Sequence, residues 1–556
     1  MYQRKREVLK VSDVTNVTSE NNGNNGNNEA NQSVNTPQGY VPPQPYYVPQ
    51  PPPITMYDTK VKENFHIYGV ASLLYACLYA FCMYKNDAGI TYLLFVGGSI
   101  AFIYFCFSKL EIKLKKDSIF YFASMLLLSI STFCTDDGRI IFFNKLGVFL
   151  LTISLLLGTV YNTKEWNLGK YLGSIVMVCI MAVGEIARPF ADAVWYCKNK
   201  LEKKNSKYLY VLLGLVITVP LFVVVFVLLT SADAVFRNIA SNILSGISTL
   251  DIFAVVFMIG FMFLASYGIL VYLCRKSLQE EVVDSRKWEP LIGIPVATIM
   301  SALYLVFSVI QTMYLFVGNM QLPDGYTYAE YAREGFFQLL AVSILNLVMV
   351  LIGLYFFKPS KVLKGILIVM SLCTFIMIAS SAMRMIIYIQ YYYLTFLRIL
   401  VLWTLVVLAL IFVGVIIYIL KENFPLFRYS MVIVTCLYLC LSFSHPDYWI
   451  AKMNVAGMEN SRSDFFKGEA YDDYYFLSQL NADAAPILVE WIEEEGFDLN
   501  YYYDAFYLYE YEDKEQYAYR YLGKLRKRVG DIGMLNFNFS RFMAESEITM
   551  RITRGM

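Results

Sequence analysis

The chain is dominated by apolar runs that are long enough to cross a lipid bilayer as helices. A helix needs roughly 20 predominantly apolar residues to span the hydrocarbon core. Hydrophobic residues make up 57% of the chain and charged residues 16%. This pattern excludes a soluble protein and predicts an all-α integral membrane protein with about eleven transmembrane helices. The predicted spans are 66–84, 90–108, 118–135, 140–161, 208–230, 252–273, 291–317, 336–357, 365–390, 394–420 and 427–444.

A shorter apolar run, 171–184, decides which loops face the cytoplasm. It lies between Lys170 and Glu185 and has the length of a re-entrant or interfacial segment. If it does not cross, loops on the N-terminal side of the membrane carry 21 Lys and Arg residues, whereas the opposite loops carry six. Basic residues accumulate in cytoplasmic loops. We therefore predict a multi-pass cell-membrane protein with a cytoplasmic N-terminus and an extracytoplasmic C-terminal domain.

Composition divides the chain into three parts. Residues 1–60 are rich in Asn, Gly and Pro and are predicted to form a disordered cytoplasmic tail. Residues 61–444 form the transmembrane domain, with a basic cytoplasmic segment at 162–207. Residues 445–556 form a small, soluble, mainly helical domain that is rich in tyrosine and acidic, with 12 Lys and Arg against 20 Asp and Glu. Its predicted helices are 472–480, 485–496 and 512–529.

The sequence contains no motif that specifies a reaction. Phosphate-binding loops, zinc-protease motifs and serine-hydrolase motifs are all missing. The ten cysteines fit no zinc or redox spacing. The two histidines, His66 and His445, stand alone at membrane boundaries. Basic residues are spread over loops, so no nucleic-acid partner is expected. We predict no catalytic residue, no metal site and no cofactor.

Charged residues at the predicted outer ends of the spans form the candidate site. Arg384 lies four residues before Tyr388 on one helix face, and Arg398 opens the next span. A cation beside hydroxyls can bind a phosphate or carboxylate, for example on a lipid headgroup. Alternatively, these charges pair with one another or extend to the headgroups. The candidate cluster is Asp233, Arg237, Glu330, Arg333, Glu334, Arg384, Tyr388 and Arg398.

Short segments in both domains resemble one family. They include 229–236, 328–337, Arg384-Met385, His445-Pro446-Asp447, Asp483-Ala484 and Asn538-Phe539-Ser540-Arg541. In these segments the sequence is similar to a bacterial multi-pass membrane family catalogued as domain of unknown function 4173, which is related to 4153. It departs from that family at Tyr392-Tyr393, where Tyr-Gly is expected, and at His445, where Asn is expected. The resemblance implies an envelope protein with no assigned activity and transfers no catalytic residue.

Three functions fit these observations. A non-enzymatic envelope sensor or scaffold would use the outer cluster and the C-terminal domain as its interaction surface. A secondary transporter is the alternative, and it would require polar groups near the middle of the bilayer, where Asn346 is the clearest candidate. The third is a membrane enzyme acting on a lipid-linked substrate. The expected partners are the lipid bilayer and either an anionic lipid or another envelope protein.

Overall fold

The computed structural model describes residues 55–86, 88–163, 166–200, 249–276, 278, 286–313, 335–460, 470–501, 514–530 and 532–555, with isolated positions between 214 and 236. Across these ranges the regular structure is helical, apart from an isolated bridge between Trp288 and Phe357. The predicted all-α fold is confirmed. Residues 56–60, which the sequence placed in the disordered tail, belong to helix α1 (Met56–Glu63), because the Thr55 side chain caps its first turn.

Twelve further helices follow in the described part of the transmembrane domain. Most are apolar around their whole circumference, as expected of helices in contact with lipid. In chain order they are α2 (Phe65–Met83), α3 (Ile90–Lys109), α4 (Ser118–Cys134), α5 (Gly138–Val160), α6 (Leu168–Gly184), α7 (Arg188–Asn199), α8 (Thr249–Cys274), α9 (Pro290–Gln311), α10 (Phe336–Phe356), α11 (Lys361–Tyr392), α12 (Phe396–Leu420) and α13 (Leu426–Ser442).

Eight of the described helices have the length and composition of a membrane span: α2, α3, α5 and α8 to α12. Two helix pairs that bend by 54° raise this number to ten if each pair counts as one span. The pairs are α6 with α7, and α13 with the helix that follows it. The protein is therefore a multi-pass membrane protein, and contacts between helix ends show which of the shorter helices run through the bundle.

The bundle has two ends, which we call the domain end, where the C-terminal domain sits, and the opposite end. Helix α4 begins at the opposite end, where Asp117 pairs with Arg428 of α13 at 3.0 Å. It finishes at the domain end, where Thr135 bonds to Asp483 of the C-terminal domain. Both α4 and α13 have 17 residues, or about 25 Å of helix. They therefore run from one end of the bundle to the other.

Helix α6 behaves differently, because both of its ends lie at the opposite end. Near its start, Tyr171 stacks on Phe427 of α13 with ring centroids 3.7 Å apart. After its last turn, Glu185 pairs with Arg275, which directly follows α8. The outward side of α6 is apolar, with Leu172, Val176, Ile180 and Val183 exposed. An apolar helix that returns to the end where it began has the geometry of an interfacial helix.

Ten of the eleven predicted spans coincide with described helices, α2 to α5 and α8 to α13, and eight of these ten have the length and composition of a membrane span. The remaining one, 208–230, lies outside the described residues except for isolated positions. The described helices before and after it, α7 and α8, have their facing ends at different ends of the bundle. Helix α7 lies at the opposite end, where Lys200 pairs with Glu63. The first turn of α8 lies at the domain end, where Asp251 pairs with Lys85 at 2.9 Å.

The helices of the bundle pack as two groups. Helices α2 to α6 and α8 share one apolar core, and α9 to α12 share two adjoining cores. Helix α13 lies between the groups. It contacts the first group through Phe427 and the second through Trp403 of α12, whose indole N–H donates to the carbonyl of Leu437 at 3.0 Å.

The C-terminal domain is a small helical unit with its own core. Leu488, Ile492, Leu522 and Ala544 are fully or almost fully buried in it. The predicted helices at 472–480, 485–496 and 512–529 are observed with slightly different boundaries. In the described residues the domain contains α14 (Pro446–Asn460), α15 (Ala470–Ser478), a short 3-10 turn (Ala482–Ala484), α16 (Ala485–Glu494), α17 (Lys514–Gly530) and α18 (Phe539–Gly555).

Candidate functional site

The structure brings together three of the eight predicted cluster residues, at the domain end between α11 and α12. The Arg398 guanidinium lies 4.3 Å from the centre of the Tyr388 ring. Arg398 also donates to the backbone carbonyls of Tyr392 and Tyr393. These carbonyls belong to the end of α11, where a helix leaves acceptors without partners within the helix. Arg398 therefore caps α11.

Arg384 is buried one turn before Tyr388 and packs against the start of α10. Gly335, the residue before α10, has a left-handed backbone with φ of 104°. A Cβ atom at this position would lie 2.6 Å from Nη1 of Arg384. Both the backbone conformation and the close approach of the guanidinium therefore require glycine here.

Of the other five predicted residues, the structure describes only Asp233. Asp233 is exposed, and its carboxylate accepts a hydrogen bond from the backbone N–H of Phe236 at 2.7 Å. Such an i to i+3 bond is typical of a local cap. Arg237, Glu330, Arg333 and Glu334 lie outside the described residues.

A larger polar cluster, which the sequence prediction missed, lies between the α4–α5 turn and the C-terminal domain. We call it the junction cluster. Its centre is Asp483, whose side chain is fully buried. This carboxylate accepts hydrogen bonds from the hydroxyls of Thr135 and Ser540 and from the backbone N–H of Asp136, the last at 3.0 Å. His445 Nδ1 lies 3.5 Å from the same carboxylate. Asp483 therefore joins four separate segments of the chain.

Asp136 makes the reciprocal contacts from the bundle to the C-terminal domain. Its carboxylate pairs with Arg528 of α17 and, at 2.7 Å, with Nε of Arg541 in α18. The Asp136 side chain is 1% exposed. Two charge-assisted bonds to one buried carboxylate hold the α4–α5 turn against two helices of the domain.

A second pair of aspartates in the junction cluster shares one arginine. Arg139, in the first turn of α5, forms two bonds with Asp137 at 2.9 and 2.8 Å and one with Asp447 at 2.5 Å. Asp447 also accepts from the backbone N–H of Asn481 at 3.3 Å. The first turn of α14 is thus bound to the start of α5.

Two further turns of the bundle are bound by asparagines of the domain. The Asn538 amide donates to the carbonyls of Ala88 and Thr135 at 2.9 and 2.8 Å. The Asn454 amide forms a two-way pair with the backbone of Leu394, in the α11–α12 turn, at 2.8 and 3.0 Å. The domain therefore binds turns from both helix groups.

Burial and pairing shift the pKa values of the junction cluster in different directions. Burial raises the pKa of Asp447 to about 6, although Arg139 opposes the shift. The bond to Asp483 raises the pKa of His445. The pKa of Asp483 is lowered, because its bonds from His445, Ser540 and Thr135 outweigh burial. Asp483 is therefore held as an anion, whereas Asp447 is protonated more readily than an ordinary aspartate.

The opposite end has a smaller buried network, which we call the Arg188 network. Arg188 Nη2 lies 2.6 Å from Asp58, and its Nε lies 3.9 Å from Glu185 and 3.7 Å from Asp192. Arg275 also pairs with Glu185, and the Tyr267 hydroxyl donates to Asp192 at 3.0 Å. This network fixes α6 and α7 to α1 and α8.

A groove of about 730 Å³ opens between the two helix groups at the opposite end. Its walls are mainly aromatic and aliphatic, with Trp166, Tyr355 and Phe427 among them and Glu422 at one edge. It lies at the other end of the bundle from the predicted cluster. In the part of the chain that the structure describes, no group of three or more His, Cys, Asp and Glu side chains is arranged to hold a metal ion.

The sequence carried one signal for the junction cluster. His445-Pro446-Asp447, Asp483-Ala484 and Asn538-Phe539-Ser540-Arg541, which support the family resemblance, all supply residues to it. Their partner Asp136 lies in a short turn between two apolar runs. Nothing in its local sequence distinguishes it from an ordinary exposed turn residue.

Comparison with known proteins places most of the transmembrane domain and the first part of the C-terminal domain in one family. The sequence profile of a domain of unknown function (DUF4153) matches residues 122–491, about two thirds of the chain. The match includes the α4–α5 turn, Asp447 and Asp483. No curated protein and no solved structure shows a significant match. The chain belongs to the DUF4153 family.

Proposed function

We propose that the protein is a non-enzymatic envelope sensor or scaffold whose C-terminal domain responds to the arrangement of the two helix groups. The observation that carries this proposal is the attachment of the domain to both groups. Asp483, Arg528 and Arg541 bind the α4–α5 turn of the first group. Asn454 binds the α11–α12 turn of the second. A shift of one group relative to the other would therefore strain the domain.

The proposal includes the cell membrane as location, a cytoplasmic N-terminus and an extracytoplasmic C-terminal domain, as loop charge indicates. We also propose that the chain is related to the family catalogued as domain of unknown function 4173. An anionic lipid or envelope protein remains the proposed ligand at the domain end. The partial exposure of Tyr388 and Tyr392 supports such a ligand. Arg398 supports it less, because its guanidinium already caps α11.

A secondary transporter is the second candidate, and Asn346 is the observation that favours it. This residue lies at the middle of α10 and is completely buried. Its amide donates to Thr374 at 3.0 Å, while its carbonyl oxygen accepts no hydrogen bond. Buried polar groups near the centre of a bilayer often mark transport pathways. An enzyme acting on a lipid-linked substrate ranks third, because the junction carboxylates are already bound to protein groups.

Complementation of a strain that lacks the gene separates the first two candidates. Growth under osmotic shock and cell-wall antibiotics would be compared for wild type, Asp136→Asn and Asn346→Leu. The matched control is Glu545→Gln, at an exposed position on α18. If the protein is a sensor or scaffold, Asp136→Asn does not restore growth although the variant is present in the membrane at the wild-type level. Asn346→Leu does restore growth. The reverse result would replace this proposal with the transporter.

A further inference from the structure

One face of the C-terminal domain is apolar and exposed. On α18, Phe539, Phe542 and Met543 follow the i, i+3, i+4 spacing of a single helix face, and their side chains are 44–45% exposed. The loop before α18 adds Leu535, 45% exposed, and Met534, 92% exposed. The opposite side of α18 packs into the domain core through Ala544 and Ile548. The helix is therefore apolar on two sides.

The position of this face relative to the spanning helices identifies what covers it. The carbonyl of Phe537 accepts a hydrogen bond from the backbone N–H of Ile90, the first residue of α3, at 2.9 Å. The Phe537 ring also contacts Phe133, in the last turn of α4, and Phe542. The exposed face therefore begins at the level where two spanning helices begin or end, which is the boundary of the bilayer.

A second element points to the same boundary. Helix α14 leaves α13 at an angle of 54° and exposes Trp449 and Met453, which are four residues apart. The Lys452 ammonium lies 5.4 Å from the Trp449 ring. Tryptophan with an adjacent lysine is typical of the headgroup region of a membrane.

We propose that Met534, Leu535, Phe539, Phe542 and Met543 insert into the headgroup and acyl-chain boundary of the bilayer, so that the C-terminal domain is a membrane-embedded cap. The partner is the lipid surface itself. The proposal does not depend on whether the protein is a sensor or a transporter. Glu545 and Glu547 are the charged residues nearest this face on α18, and Glu547 is paired with Arg551. Because neither of these two residues is basic, we expect apolar burial rather than anionic lipid to drive insertion of this face.

Spin labels on the full-length protein in nanodiscs test this proposal. The ten cysteines are first replaced, and single cysteines are then placed at Met534 and Phe542. The matched control is Glu494→Cys, exposed at the end of α16. The neighbouring Glu495 pairs with Lys514 at the start of α17. Lys514 lies about 20 Å along α17 from Arg528, the residue of that helix in the junction cluster.

Labels at positions 534 and 542 are expected to relax with oxygen and to be protected from a water-soluble nickel chelate. The label at 494 is expected to show the reverse. The difference should persist in pure phosphatidylcholine and in mixtures with phosphatidylglycerol. Nickel access at 534 and 542 equal to that at 494 would overturn the proposal. Protection from both reagents would also overturn it, because it would mean that protein rather than lipid covers the face.

A second measurement does not require the cysteine-free protein. Met534→Trp adds one tryptophan to the six native ones, and Lys514→Trp is the control. Brominated phosphatidylcholine in the nanodisc is expected to quench the added fluorescence of Met534→Trp at least twofold more than that of Lys514→Trp. Equal quenching of the two variants would contradict insertion.

Discussion

The junction cluster and the Arg188 network are built from the same kinds of side chain but connect different parts of the chain. In the Arg188 network, Arg188 lies near Glu185 and Asp192 on its own segment and reaches Asp58 of α1. In the junction cluster, Asp136 pairs with two arginines that lie 392 and 405 residues further along the chain. The first network fixes local geometry within the bundle, whereas the second attaches a domain. Loss of each network should therefore have a different consequence.

The largest effect is expected for Asp136→Asn. The substitution removes the carboxylate from Arg528 and Arg541, and breaking a buried ion pair costs about 3 kcal/mol or more. The domain should detach while the bundle stays folded. Limited proteolysis of the protein in nanodiscs would show this as at least tenfold faster cleavage near the domain boundary. Cleavage at the wild-type rate would show that the junction cluster does not hold the domain.

Arg188→Met should have a smaller effect and a different one. It removes the main partner of Asp58, but Glu185 keeps Arg275 and Asp192 keeps Tyr267. We expect the bundle to lose about 2 kcal/mol of stability. The lower thermal midpoint can be followed in detergent by size-exclusion chromatography after heating. Proteolysis of the C-terminal domain should not change, and faster cleavage there would mean that the two ends are coupled.

The smallest expected effect is a dependence of domain attachment on pH. The raised pKa of Asp447, about 6 instead of 3.8, gives a stabilisation that is complete below about pH 4 and lost as pH rises through 6. The raised pKa of His445 also stabilises the protein at low pH. This stabilisation is complete below the ordinary pKa of 6.5 and is lost as pH rises above that value. The lowered pKa of Asp483 gives a stabilisation that is present above the ordinary pKa of 3.8 and is lost as pH falls below that value.

Attachment should therefore be strongest near pH 4 and weaken as pH rises through 6 towards 8. The rate of domain proteolysis by a protease active across this range, corrected for protease activity, would measure the change. Asp447→Asn should flatten the part of the profile between pH 4 and 6 and leave the His445 part above it. An unchanged profile in this variant would assign the pH dependence to other groups.

The sequence alone determined most of the fold. Apolar runs of about 20 residues predict helices in a bilayer because every backbone polar group there must be bonded within the helix. The predicted spans therefore match α2 to α5 and α8 to α13, and the proline and glycine around α16 predicted that helix within the C-terminal domain. These features depend on residues close together along the chain.

The tertiary structure decided which polar residues meet. Arg384, Tyr388 and Arg398 are close in sequence, and in the structure the Arg398 guanidinium lies against the Tyr388 ring. The contacts of Asp136 depend on how a whole domain packs onto a turn, and no local pattern encodes such a contact. The same applies to α18, where Phe539 and Phe542 look like core residues in the sequence. Only the packing of Ala544 and Ile548 into the domain core leaves them facing outward.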